Sequence, residues 1–189
     1  MTPYLQHTEA TAPEGSQPIL TAIKSKMGFV PNLMATMAEA PVLVESYMTM
    51  MRIFEKTSLT PTEREIILMT NNRLNGCTYC MAAHTTVAKI SGVDANVIEA
   101  LRNGTAIPDP KLEALRNFAV IINENRGWAT EEQVDTLIAA GYTKQTVLEV
   151  ITGTALKVLS NYTTHIVKPP LDKAFEPVAW SPKQAAATE

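Results

Sequence analysis

The chain has 189 residues, 46% of them hydrophobic and 19% charged, with sixteen basic against nineteen acidic side chains and a net charge of −3. That is enough apolar material for one core burying roughly 70% of the unfolded surface without disulfide support. An isoelectric point near 5.7 with no basic cluster argues against nucleic acid, whose phosphates call for a Lys/Arg patch.

The longest stretch without Asp, Glu, Lys or Arg covers residues 74–88. It is interrupted by Asn75, Cys77, Thr78, Cys80 and His84, and is too short for the roughly 18 apolar residues of a membrane span. The N-terminal MTPYLQHTEATAPEGSQP has neither a basic start nor an apolar segment, so it does not read as a secretory signal and a cytoplasmic location is expected. Two cysteines close together in such a chain read as catalytic or metal-binding rather than as a disulfide framework.

Residues 1–16 are polar, with Pro3, Pro13 and Gly15, and read as a flexible arm. Residues 17–175 read as a single all-α domain and 176–189 as a tail. No run alternates apolar and polar residues long enough to demand a sheet. A first helix is expected over 19–26, broken by Gly28 and Pro31, and a short second one over 33–38. PVLVESYMTMMRIFEK follows, with Val42, Leu43, Tyr47, Met50, Met51 and Phe54 at helical spacing.

Thr60-Pro61-Thr62-Glu63 is a capping-box start. Its helix should run to Leu74 and stop at Asn75-Gly76, because Gly tolerates the left-handed cap. The next should open at Cys77 and end at Ser91-Gly92. Asp94 caps a helix to Arg102. Asp109-Pro110 starts another, with Leu112, Leu115, Phe118, Ala119 and Ile122 on one face. Thr130 with Gln133 forms a second capping box, and a long helix spans 143–168 before Pro169-Pro170. The fold class expected is an all-α helical bundle with the nine methionines filling its core.

The chemistry concentrates in EIILMTNNRLNGCTYCMAAH, residues 65–84. Cys77, Cys80 and His84 share one helix face, with His84 four positions after Cys80. A helix N-terminus offers free amides and a partial positive charge, which stabilise a thiolate. A thiolate attacks peroxides or disulfides, and a second thiol one turn away can resolve a sulfenic acid. Helix-end electrostatics favours Cys77 as the thiolate, whereas the spacing to His84 favours Cys80. Glu65 shares a face with Leu68, Met69 and Asn72. The Asn75-Gly76 turn should fold it back towards the cysteine helix, where a carboxylate among apolar side chains suits a proton relay. Cys77, Cys80, His84 and Glu65 could alternatively ligate a tetrahedral zinc ion, but one cysteine pair is half a structural zinc site, and no metal is expected. Tyr79, and Asn161 and His165 four apart on the last helix, are candidates to line the same pocket. His7 lies in the arm and carries no expected role.

Glu65, Cys77 twelve positions on, Cys80 and His84 together form a pattern that resembles the alkylhydroperoxidase D-like branch of the carboxymuconolactone decarboxylase superfamily. GFVPNL, LTPTEREIILM and SNYTTHI look like its peroxidase-related members, and the likeness extends over residues 19–175. The resemblance implies a helical bundle with the cysteine-bearing hairpin at its centre, assembled as a homo-oligomer. It implies a thiol peroxidase for organic hydroperoxides or hydrogen peroxide, without a cofactor. Cys80 would attack and become sulfenic acid, Cys77 would resolve it, and Glu65 and His84 would relay protons. The partners implied are the hydroperoxide and a thiol or dithiol electron donor, such as a thioredoxin-like or lipoyl-bearing protein. One departure stands out: the best-known alkylhydroperoxidase D proteins carry His before the second cysteine, where this chain has Tyr79. Two other readings remain open. One is a decarboxylase-like enzyme using Glu65 and His84 as acid and base on a small carboxylated substrate. The other is a redox-sensing or zinc-stabilised binding scaffold.

Overall fold

The start signals in the sequence are met by side chains in the structure, a computed structural model that describes residues 4–182. Thr60 and Glu63 cap each other at the head of one helix, and Thr130 and Gln133 at the head of another. Asp94 and Asp109 accept first-turn amides of two more. Each cap satisfies donors that have no partner inside the helix.

The helices are α1 (Gln17–Met27), α2 (Asn32–Met37), α3 (Pro41–Phe54), α4 (Pro61–Leu74), α5 (Thr78–Ile90), α6 (Ala95–Asn103), α7 (Pro110–Glu124), α8 (Glu131–Ala139) and α9 (Lys144–Val167). Among the described residues there is no strand, as the lack of alternation predicts. No helix is long and apolar enough to cross a membrane among the same residues.

The centre is α4, packed against α5, α6, α7 and α9. Its run from Glu65 to Asn72 is buried on every side, which is how a helix with neighbours all round must read. α9 closes against it through Gly153. A Cβ there would lie 2.7 Å from Ile67 Cγ2 and 2.8 Å from Phe54 Cζ, so only hydrogen fits between α9, α4 and α3. On α3 the buried side chains are Val44, Tyr47 and Phe54, while Val42 is 75% exposed. Val42 therefore falls outside the stripe expected from the sequence, because the inward face follows the 44–47–51–54 spacing.

Residues 4–16 of the segment expected to be an arm lie against α2 and the turn after it, residues 1–3 falling outside the described residues. His7 is buried, its backbone N–H donates to Ala35 O at 3.1 Å, and its Nε2 pairs with Glu39 at 2.8 Å. Ser16 donates to Ala38 O at 2.7 Å. After α9 the chain turns at Lys168, in the left-handed conformation with φ 46°, and runs back as a strap. Asp172 and Phe175 are buried there, and Trp180 Nε1 donates to Arg102 O at 2.9 Å. The last part of the expected tail, residues 183–189, lies outside the described residues.

Candidate active site

The α4–α5 hairpin places the cysteines. Gly76, at φ 64°, turns the chain, and Cys77 N donates to Asn72 O at 2.9 Å. Cys77 is the N-cap of α5, where its Sγ accepts from Cys80 N at 3.3 Å. Cys80 follows in the first turn, with Sγ 3.5 Å from Thr164 Oγ1 on α9. Both thiols are buried and unbridged.

Their environments separate them. Burial alone opposes a charge on Cys80. The hydrogen bond from the Cys77 thiol, the Lys157 ammonium, the Thr164 hydroxyl and His84 together outweigh it, and hold the Cys80 thiol well below its ordinary range. The Cys77 thiol is pushed up, first by its hydrogen bond to Cys80 and then by burial. Of the two thiols, Cys80 is thus the one its surroundings favour in the ionised form.

Behind Cys80 lies a chain of three ionisable groups from three helices. Glu65 Oε2 on α4 is 2.9 Å from His84 Nδ1 on α5, and His84 Nε2 is 3.1 Å from Lys157 Nζ on α9. An ammonium has only protons to give, so Lys157 donates to Nε2. That leaves the imidazole proton on Nδ1, donated to the Glu65 carboxylate. The ring nitrogens therefore go to Glu65 and Lys157, and the expected contact between His84 and a thiol is replaced by this pair of bonds.

These groups form the polar floor of a cavity of about 160 Å³. Its walls are apolar and include Met34, Met51, Phe54, Val87 and Phe175, the last from the strap. Met37, Met69 and Met81 are buried in the core as expected, and Met34, itself buried, lines this space together with Met27 and Met51. Tyr47 opens into it too. Burial, followed by the negative charge of Cys80, raises the Tyr47 phenol and keeps its proton.

Glu65, Cys77, Cys80 and His84 are thus brought to one place. Tyr79, Asn161 and His165 are not equivalent to them. The Tyr79 ring is part of the cavity wall, but its hydroxyl turns away, donating to Asp172 Oδ2 at 2.5 Å and accepting from Leu33 N at 3.2 Å. Asp172 also receives Asn32 N at 3.1 Å. Tyr79 therefore ties α5 to α2 and the strap. Asn161 is fully buried in an amide chain that does not reach the cavity. Asn123 Nδ2 donates to Asn75, Asn75 Nδ2 to Asn161, Asn161 Nδ2 to Asn72, and Asn72 Nδ2 to the Cys80 carbonyl, at 3.2, 2.9, 3.0 and 3.1 Å. His165 is exposed, stacks on Tyr162, and borders a second opening beside Cys77. Among the described residues no three His, Cys, Asp or Glu side chains converge as ligands for an ion.

Lys157 and Asp172 are not among the residues expected from the sequence. Lys157 has a detectable signal. Thr146, Val150, Gly153, Lys157, Ser160 and Thr164 are all buried on α9, in a strict four-three spacing. A lysine in register with that stripe must face inward. The stripe is small and polar, so hydrophobic periodicity does not reveal it. Asp172 lies in an irregular segment and has no such signal.

Residues 43–120 match the carboxymuconolactone decarboxylase family. No curated protein matches the chain. Among solved structures it is similar to an alkylhydroperoxidase AhpD core, a peroxidase-related protein from Ralstonia eutropha JMP134. The two are 24% identical with a TM-score of 0.82, over 95% of this chain and 97% of that one. A peroxidase-related protein from Silicibacter sp. TM1040 is 19% identical, with a TM-score of 0.78 over 93% and 96%. The debrominase Bmp8, bound to 2,3,4-tribromopyrrole, is 20% identical, with a TM-score of 0.74 over 94% and 95%.

Proposed function

From a chain whose residues 43–120 match the carboxymuconolactone decarboxylase family, and whose fold is that of the alkylhydroperoxidase D core, we propose a thiol-dependent peroxidase acting on organic hydroperoxides. The observation that carries the reading is the placement of Cys80 in an apolar cavity, one turn from Cys77 and beside Lys157, surroundings that lower its thiol.

The Cys80 thiolate attacks the distal peroxide oxygen. The O–O bond breaks, Cys80 becomes sulfenic acid, and the alkoxide leaves. It takes a proton from the Glu65–His84–Lys157 chain, whose members stand in hydrogen-bond series. Cys77 then attacks the Cys80 sulfur, releasing water and forming the Cys77–Cys80 disulfide. The Cys77 thiol gives up its proton in this step. The apolar walls favour an organic peroxide over hydrogen peroxide, because burying the alkyl group adds affinity. An external thiol returns the disulfide to two thiols.

The test is a free-thiol count on reduced protein before and after excess cumene hydroperoxide. Loss of both thiols, reversed by a dithiol, is expected. Full peroxide turnover by Cys80→Ser would overturn the mechanism.

A second reading has one observation in its favour, the shared fold with a debrominase. A thiolate can also take a halogen from an electron-rich ring. The ring then gains a proton, and Cys77 displaces halide from the Cys80 sulfur to give the same disulfide. Halide release from brominated pyrroles, measured beside peroxide consumption, separates the two.

A further inference from the structure

The two cysteines face different openings. Cys80 lines the apolar cavity and Cys77 does not. Cys77 lines a second cavity of about 400 Å³, which Cys80 does not border. Tyr79, fixed by Asp172, is common to both and forms the partition between them. The second opening differs in chemistry. Thr78, Thr164, His165 and Lys168 line it, and no acidic side chain does. His165 and Lys168 are exposed.

We propose that this second cavity is the reductant's port, and that it receives a small anionic thiol which attacks Cys77. The proposal deepens the peroxidase reading and rests on the Cys77–Cys80 disulfide that reading forms. The chemistry favours that direction. Thiol–disulfide exchange is faster when the displaced sulfur is the better leaving group. Attack at Cys77 expels Cys80, whose thiolate the Lys157 ammonium and the Thr164 hydroxyl stabilise. Attack at Cys80 would expel Cys77, whose thiolate is disfavoured. The incoming thiolate forms a bond to Cys77 Sγ as the Cys77–Cys80 bond breaks. A second equivalent of thiol then attacks the mixed disulfide, leaving as the oxidised disulfide, and Cys77 takes up a proton. The Lys168 ammonium, and His165 when protonated, attract an anionic thiol to that mouth. The apolar cavity, with Cys80 at its floor, is left to the peroxide. The two half-reactions then use opposite sides of one partition, and the reductant need not compete with substrate for space.

The experiment measures the two halves separately in the full chain. The disulfide is prepared with diamide, so its reduction can be followed whether or not hydroperoxide makes it. Mercaptosuccinate is the anionic probe and dithiothreitol the neutral one. Lys168→Glu is expected to slow reduction by mercaptosuccinate about ten-fold relative to reduction by dithiothreitol, and added salt should narrow that difference in the wild type. Thr78→Trp, which crowds the Cys77 mouth, should slow reduction by both. Val87→Trp, at the rim of the other cavity, should slow oxidation by cumene hydroperoxide instead. If Val87→Trp slowed reduction as much as Thr78→Trp, the thiol would share the peroxide's route and the port would be refuted. An equal effect of Lys168→Glu on both thiols would refute the anionic class. Failure of hydroperoxide to oxidise either cysteine would count against the peroxidase reading alone, since the reduction rates would still decide the port.

Discussion

Lys157 Nζ lies 3.1 Å from His84 Nε2, so a fully buried ammonium on α9 is bonded to the histidine of the cysteine helix. The same charge lowers the Cys80 thiol. A buried charge is costly unless it is paired and hydrogen-bonded, and here the compensation comes from the thiolate and from the Glu65 carboxylate at the far side of the ring.

Lys157→Met keeps the side chain's length and removes its charge. The inflection in the pH profile of Cys80 alkylation should move to higher pH. Alkylation below that inflection should slow, because the thiolate loses one of the charges that favours it. An unchanged profile in a folded variant would remove Lys157 from thiolate stabilisation.

The depressed Cys80 thiol also makes stability depend on pH. Its folded-state value lies below the unfolded one, near 8.5. The contribution is therefore complete above about pH 8.5 and is lost as pH falls through the depressed folded-state value. Cys77 is raised and acts in the opposite sense, full below about 8.5 and fading at higher pH. Urea midpoints of reduced wild type and Cys80→Ala should diverge as pH rises towards 8.5. A constant difference across that range would mean Cys80 is not ionised in the folded protein.

Tyr79→Phe deletes the hydroxyl shared by Asp172 and Leu33 N. Two buried groups lose a partner, for a loss of about 1–3 kcal/mol. The amide of Leu33 should exchange faster, while the pH profile of thiol alkylation stays in place. A shifted profile would put Tyr79 in the proton relay, the role its position suggests by comparison with a histidine.

Gly153→Ala pushes a methyl into Ile67 and Phe54. Overpacking of this kind costs about 1–3 kcal/mol. Thermal melts should show a lower midpoint for the variant, and an unchanged melt would mean that α9 can back away from α4 freely.

The fold is legible in the sequence because its punctuation is local. Thr60 with Glu63, Thr130 with Gln133, Asp94 and Asp109 mark helix starts by chemistry that acts within four residues. The hairpin from Glu65 to His84 is legible for the same reason, a single turn at Asn75-Gly76 separating two helices. Lys157 can be placed on the small, polar stripe of α9, but its bond to His84 requires knowing that α9 crosses behind that hairpin, a relation between residues more than seventy positions apart in the chain. Asp172 depends on how an irregular strap returns across α2 and α5. The Tyr79 hydroxyl shows the limit plainly: its residue type and position are visible, but its direction is set by Asp172, nearly a hundred residues on.

The asparagine chain from Asn123 to the Cys80 carbonyl runs one way, each amide giving its nitrogen to the next oxygen. Such a row is a line of aligned dipoles with its positive end at the cysteine turn, adding to the field of the α5 N-terminus. No member can turn over alone, because reversing one places two nitrogens or two oxygens face to face. A single Asn→Asp exchange in the middle would split the row into opposed halves. The polarity of the cysteine turn is in this sense inherited from Asn123, on a different helix and half-open to solvent.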